Sequence, residues 1–204
     1  MKKEKTAAIV LNGSDIPYRF DEDFVVFVDR GYYRSAATPD LIIGDFDSFD
    51  AVDSIEEGIE VIRLEHEKDE TDGENALREV IRRGYKKINI YGVLGGRQDH
   101  VMCNLVLLAL ACGLGAEAVA VSDKAKIYYS NSKFFDKVKL GTIISIVPFL
   151  GDAHIMNTEG LKYPLKNETL PAKSTRGISN IAVSESVEVA LSGGGVLIFV
   201  HNRG

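Results

Sequence analysis

In the first half of the chain, short apolar runs alternate with polar ends and helical patterns. "AAIVL" ends at Asn12-Gly13, "FVVFV" at Asp29-Arg30-Gly31 and "LIIG" at Asp45. "VIRL" runs into a polar stretch ending at Thr71-Asp72, "INIYGVL" ends at Gly95-Gly96, and "AVAVSD" closes the series. Runs of this length and β-branched content read as strands. Between two of them, "TDGENALREVIRRGY" sets Ala76, Leu77, Val80 and Ile81 at helical spacing. The alternation predicts an α/β N-terminal domain with a mostly parallel sheet. "VMCNLVLLALACGLG" falls short of the roughly 20 residues of a membrane span and reads as a buried helix.

From about Ala125 the texture changes. "KIYYS", "TIISIVPF", "HIMN", "ISNIAVS", "VEVAL" and "VLIFV" are short and β-branched, with Gly, Asn or Ser between them and no helical period. This predicts an all-β sandwich C-terminal domain. The boundary falls between residues 1–123 and 124–204, with a short join.

Composition narrows the function classes. Hydrophobic residues make up 45% and charged residues 26%, a balance that folds rather than remaining disordered. A net charge of −6 provides no basic footprint for nucleic acid, so a small-molecule partner is expected. "MKKEKTAAIV" lacks the apolar core of a signal peptide. Cys103 and Cys112, the only cysteines, both lie in the apolar helix, as free thiols in a reducing cytoplasm would.

The chemistry collects where predicted strands end, the edge at which open parallel sheets bind ligands. "LIIGDFDSFD" crowds Asp45, Asp47 and Asp50 behind an apolar run, and like charges that close repel. With an extended backbone, Asp45 and Asp47 would face one side and share a magnesium ion, which favours hard oxygen ligands. Alternatively, Asp47 or Ser48 caps a helix beginning near Phe49. An EF-hand is excluded, because Phe49 and Asp50 stand where that loop needs an oxygen ligand and a glycine. In "EKDETDGENAL", Thr71 and Glu74 have capping-box spacing, which leaves Asp72 free to meet a metal or an attacking group.

"GVLGGRQDH" combines a glycine pair, Gly95-Gly96, with the start of a helix, where free N–H groups favour an anion. Arg97 adds a planar fork suited to phosphate, although Arg97 and Asp99 also have the spacing of a surface salt bridge. His100 reads as an orienting or packing residue, and His66, His154 and His201 show no metal-ligand spacing. The chain has no P-loop, no G-x-G-x-x-G fingerprint and no G-x-S-x-G elbow, so a bound nucleotide is held another way.

Four stretches together resemble the thiamine pyrophosphokinase family. "GDFDS" at 44–48, "KDETD" at 68–72 with Ala76 and Leu77, and "GGRQDH" at 95–100 with Asn104 are similar to its three signature stretches. "STRGISN" at 174–180 is similar to its C-terminal substrate-binding turn. The resemblance implies a nucleotide-binding catalytic domain followed by a thiamine-binding sandwich. It further implies magnesium-dependent transfer of pyrophosphate from ATP to the thiamine hydroxyl, giving thiamine diphosphate and AMP. By the same carry-over Asp45, Asp47 and Asp72 hold magnesium, and Asp72 also receives or orients the hydroxyl proton. Arg97 steadies the phosphates with support from Lys68, while Asp29, Thr71, Gly95, Gly96, Asp99 and Asn104 shape the nucleotide site. Ser179 and Asn180 contact thiamine.

Relatives of this kind pair as homodimers with thiamine between one chain's α/β domain and the other's sandwich. Some use an indole against the thiamine ring, but this chain has no Trp, so either another aromatic serves or the packing there is aliphatic. A pyrophosphokinase for another alcohol, such as a hydroxymethyl pterin, would share the phosphate machinery, and only "STRGISN" favours thiamine over it. A glycosyltransferase would explain Asp45-x-Asp47 but not the Arg97 cluster. A non-catalytic nucleotide or thiamine sensor would have no need of its acidic ligands, yet all are present.

Overall fold

The computed structural model describes residues 4–46 and 58–202, without the side chains of Tyr33 and Arg34. Two compact units divide the chain, Met1–Ser122 and Asp123–Gly204. Both are mostly sheet, with two α-helices among the described residues.

In the first unit six strands pair in parallel: β1 (Thr6–Val10), β2 (Phe24–Val28), β3 (Leu41–Gly44), β4 (Glu60–Arg63), β5 (Lys87–Tyr91) and β6 (Glu117–Val121). Their spatial order is β6-β5-β1-β2-β3-β4. The chain steps outward from β1 to β4, then returns to lay β5 on the other flank of β1. The reversal makes the carboxyl ends of β1 and β5 a switch point, where loops part and leave a crevice. β1, β2 and β3 are buried along nearly their whole length, as near-continuous apolar runs in a central parallel sheet should be. At the rim, β4 is largely exposed.

Helix α1 (Asp72–Arg82) begins where Thr71, in extended conformation, accepts a hydrogen bond from Glu74 N–H at 3.2 Å. Ala76, Leu77 and Val80 form its buried stripe, and each large side chain so buried contributes about 2 kcal/mol. The capping box is only half made, because the Glu74 carboxylate turns to Arg78 instead. Helix α2 (Gln98–Gly113) departs from the expected buried helix. Leu105, Leu107, Leu108 and Ala111 are buried, but Met102 is 59% exposed, and Val106 and Cys103 also face outward. An all-round apolar sequence carries no period to show which face will pack.

The second unit has only antiparallel pairs among its described strands. They are β7 (Ala125–Ser130), β8 (Lys133–Lys137), β9 (Ile143–Pro148), β10 (Ala153–Glu159), β11 (Lys166–Leu170), β12 (Asn180–Ile181), β13 (Ser186–Gly193) and β14 (Val196–His201). One set runs β12-β9-β14-β7 and the other β11-β10-β13-β8. Ile144, Ile146 and Ile198 of the first share a core with Ile155, Leu170, Val187 and Val189 of the second. β8 and β11, "KFFDK" and "KNETL", escape the sequence pattern because edge strands carry charge where inner strands carry hydrocarbon.

Candidate active site

The loops after β1 and β5 meet backbone to backbone. Ser14 N–H donates to the Leu94 carbonyl at 2.7 Å, and a methyl on Gly13 would strike the Gly92 carbonyl. Beside this crossing lies a pocket of about 710 Å³, lined from the ends of β1, β2, β3 and β5 and from the segment leading into α1. Every lining residue belongs to the first unit.

One wall is acidic. Asp29 follows β2, Asp45 follows β3, and Asp72 opens α1, so two strand ends and one helix start each deliver a carboxylate. One oxygen from each lies within 4.8 Å of the others. Lys68 places its ammonium 2.7 Å from Asp72 Oδ1 and 3.7 Å from Asp45 Oδ2, and donates to the Glu65 carbonyl at 2.9 Å. Burial, then the neighbouring Asp72 and Asp45 carboxylates, push Asp29 up to about 8, against the pull of Lys68. Its Oδ1 is buried without a hydrogen-bond partner among the described residues. Carboxylate oxygens around one magnesium ion stand up to about 4 Å apart, so a small inward movement lets this set hold a divalent cation. The orphaned Asp29 oxygen fits the same group.

The route to this cluster differs from the one expected. β3 ends at Gly44 and Phe46 has φ 58°, so the backbone does not stay extended through Asp45 and beyond. Asp47, Ser48 and Asp50, with the helix expected near Phe49, lie outside the described residues. Asp29, expected among the nucleotide contacts, joins Asp45 and Asp72 directly. Its signal was available, since it follows a buried apolar run just as Asp45 does.

The glycine pair and Arg97 line the same pocket. Gly95 and Gly96 take φ 86° and 73°, and a methyl on Gly95 would crowd Ser14. Arg97 immediately precedes α2 without capping it by a side-chain bond, and its side chain is 74% exposed. Its fork holds Asp99 at 3.1 and 2.5 Å, and this holds Asp99 down at about 2. The salt bridge between Arg97 and Asp99 is present, and Arg97 also lines the pocket. Asn104 reaches from α2 to the Val93 carbonyl at 3.2 Å and fixes the helix against the β5 loop. Lys68, Thr71, Asp72, Gly95, Gly96, Arg97 and Asn104 all line the one pocket, together with Asp29 and Asp45; Asp99 does not. Asn12, Arg30 and His66 line it as well and were not anticipated.

Ser179 and Asn180 belong to the second unit. Ser179 is exposed, with φ 58°, and its N–H donates to Ser145 Oγ. Asn180 is 5% exposed. Its Oδ1 accepts from the N–H groups of Tyr163 and Ile181 at 3.0 and 2.9 Å, and its Nδ2 donates to the Tyr163 carbonyl at 2.7 Å. Asn180 is thus a peg that fixes the Tyr163 backbone.

Residues 18–117 match the family model "Thiamin pyrophosphokinase, catalytic domain", and residues 133–196 match "Thiamin pyrophosphokinase, vitamin B1 binding domain". The chain belongs to the thiamin pyrophosphokinase family. It is 29% identical over 165 residues to the thiamine pyrophosphokinase of Bacillus subtilis strain 168, covering 78% of this chain and 75% of that one. It is 27% identical over 177 residues to thiamine pyrophosphokinase 1 of Oryza sativa subsp. japonica, covering 79% of this chain and 66% of that one. A crystal structure of a thiamine pyrophosphokinase from Bacillus subtilis superposes with TM-score 0.84 at 25% identity, covering 98% of this chain and 100% of that one.

Proposed function

We propose that this chain catalyses the reaction of its family, transferring pyrophosphate from ATP to the hydroxyl of thiamine to give thiamine diphosphate and AMP. The observation that carries this reading is the pocket that sets three carboxylates against a glycine-paired, arginine-bearing helix start. Phosphoryl transfer needs positioning and charge stabilisation more than covalent chemistry, and these groups supply both.

In this reading Asp29, Asp45 and Asp72 hold magnesium, with Asp47 added from the sequence. The ion supplies positive charge against the ATP phosphate oxygens. Arg97, held by Asp99 through Nε and Nη2, meets phosphate with its remaining N–H groups, and the free N–H groups at the start of α2 favour the same anion. Asp72 accepts or orients the hydroxyl proton as the thiamine oxygen attacks the β-phosphorus. The bond to the α-phosphate oxygen breaks and AMP leaves. Lys68 keeps the Asp72 carboxylate in place.

Thiamine is assigned to the second unit at 174–180, with Tyr163 as the aromatic surface in a chain without Trp. Supporting this are the double grip of Asn180 on the Tyr163 backbone, the 59% exposure of Tyr163, and the Lys162 ammonium 5.4 Å from its ring centroid. A face that seats an ammonium suits a thiazolium cation. We assign the active form to a homodimer whose sites are shared between chains. Neither Cys103 nor Cys112 is in a disulfide, which suits a reducing cytoplasm. No helix among the described residues is long and apolar enough to cross a membrane.

The test is purified protein with ATP, magnesium and thiamine, resolved for nucleotides and thiamine esters. Equal yields of AMP and thiamine diphosphate are expected. Release of ADP, or equal turnover with a hydroxymethyl pterin, would overturn the reading.

A further inference from the structure

Gly44 closes β3, and its backbone makes no demand for glycine. It pairs with Arg63 of β4 and lies outside the left-handed region, so any residue could adopt its φ and ψ. Space is what excludes a side chain. A methyl at position 44 would collide with Asp29 Oδ1 and lie 2.9 Å from its Cγ and 3.4 Å from its Cα.

Asp29 is brought there by its own backbone. It follows Val28, whose strand partner is Ile43, and then turns with φ 47°, a conformation that residues with a Cβ seldom adopt. The turn lays its carboxylate along the bare Cα of Gly44, with Oδ1 buried and unpartnered among the described residues. Neither the backbone strain nor the orphaned oxygen favours folding, and such features collect where a site needs them.

We propose that Gly44 is a positioning residue whose missing side chain seats Asp29 between Asp45 and Asp72, completing the cluster that takes the divalent cation. This rests on the metal reading given under the proposed function. The reach of Asp29 into the cluster and the emptiness at position 44 are one device, formed across the β2–β3 pairing.

The probe is Mn²⁺ titrated into the full chain without nucleotide, with free metal followed by electron paramagnetic resonance and melting temperature read in parallel. Gly44→Ala weakens Mn²⁺ binding by about tenfold or more, in line with supporting groups around metal ligands. Asp29→Ala weakens it comparably, and Gly44→Ala/Asp29→Ala is no weaker than Asp29→Ala alone. The melting temperature lost in Gly44→Ala is regained in the double variant, because the colliding carboxylate is gone. Wild-type Mn²⁺ affinity in Gly44→Ala, or additive losses in the double variant, overturns the role of Gly44. Should Gly44→Ala fail to fold, a folded double variant supports the proposal and an unfolded one overturns it. A wild-type chain that takes up no Mn²⁺ overturns the metal reading itself, and the role of Gly44 with it.

Discussion

Asp72 occupies the first helical position of α1, one residue after the side chain that caps it. Thr71 satisfies the helix start, so the Asp72 carboxylate is free to meet Lys68, Asp29 and Asp45. Asp72→Asn should therefore keep the cap and the fold while lowering AMP release by about a hundredfold or more, the scale of losing one preorganised charge group. Circular dichroism checks the fold and nucleotide chromatography the rate. Arg97 invites a different substitution. In Arg97→Lys the charge survives but the fork to Asp99 is lost, so turnover should fall with binding of thiamine unchanged. Steady-state kinetics with thiamine varied at saturating ATP separate the two. At this scale the sequence was legible where a polar residue followed an apolar run at the carboxyl end of a strand, as Asp45 does, or stood at a helix start, as Asp72 and Arg97 do. The positive φ of Asp29 and Phe46 was not legible, because Asp adopts a left-handed backbone only occasionally and Phe rarely.

Among the elements, α1 is fastened to the sheet at its far end by charge. Arg83, just beyond its last turn, reaches Glu60 of β4 at 2.6 and 2.8 Å and Glu79 at 2.7 Å. Hydrogen bonds from Arg82 and then Arg83 hold the Glu79 carboxyl down at about 2, from an ordinary 4.5. A depressed folded value stabilises above the unfolded one, so this contribution is complete above pH 4.5 and is lost as pH falls toward about 2. Solvent screening keeps it near 1 kcal/mol, the upper range for surface pairs. Glu79→Gln should be less stable than wild type at neutral pH by about that amount, and the gap should close in acid unfolding below pH 4.5. Urea midpoints at pH 7 and pH 3 would show it. The central parallel strands β1, β2 and β3 were legible from their near-continuous hydrocarbon. α2 was legible as a helix but not in its packing, since its uniform apolar sequence hides the side left uncovered at Met102, Cys103 and Val106. β8 and β11 stayed hidden because their patterns are those of solvated edges.

For the whole molecule, the question is whether one chain makes a complete site. The acidic pocket and the Ser174–Asn180 turn lie in different units, and the homodimer proposed above pairs one chain's pocket with the other chain's turn. That arrangement has an arithmetic consequence. Asp72→Asn disables the first unit and Tyr163→Ala the second, so each variant alone should be nearly inactive. When the two are mixed and allowed to exchange, half of the dimers are mixed, and each mixed dimer joins one intact pocket to one intact turn. Activity should rise to about a quarter of the wild-type value, as two-fold symmetry with random exchange requires. A site built within one chain has no intact pair in any combination, and the mixture would stay as inactive as its components. The same mixture sedimented at assay concentration must show dimers, because a pyrophosphoryl transfer made in one step leaves no intermediate that separate chains could pass between them.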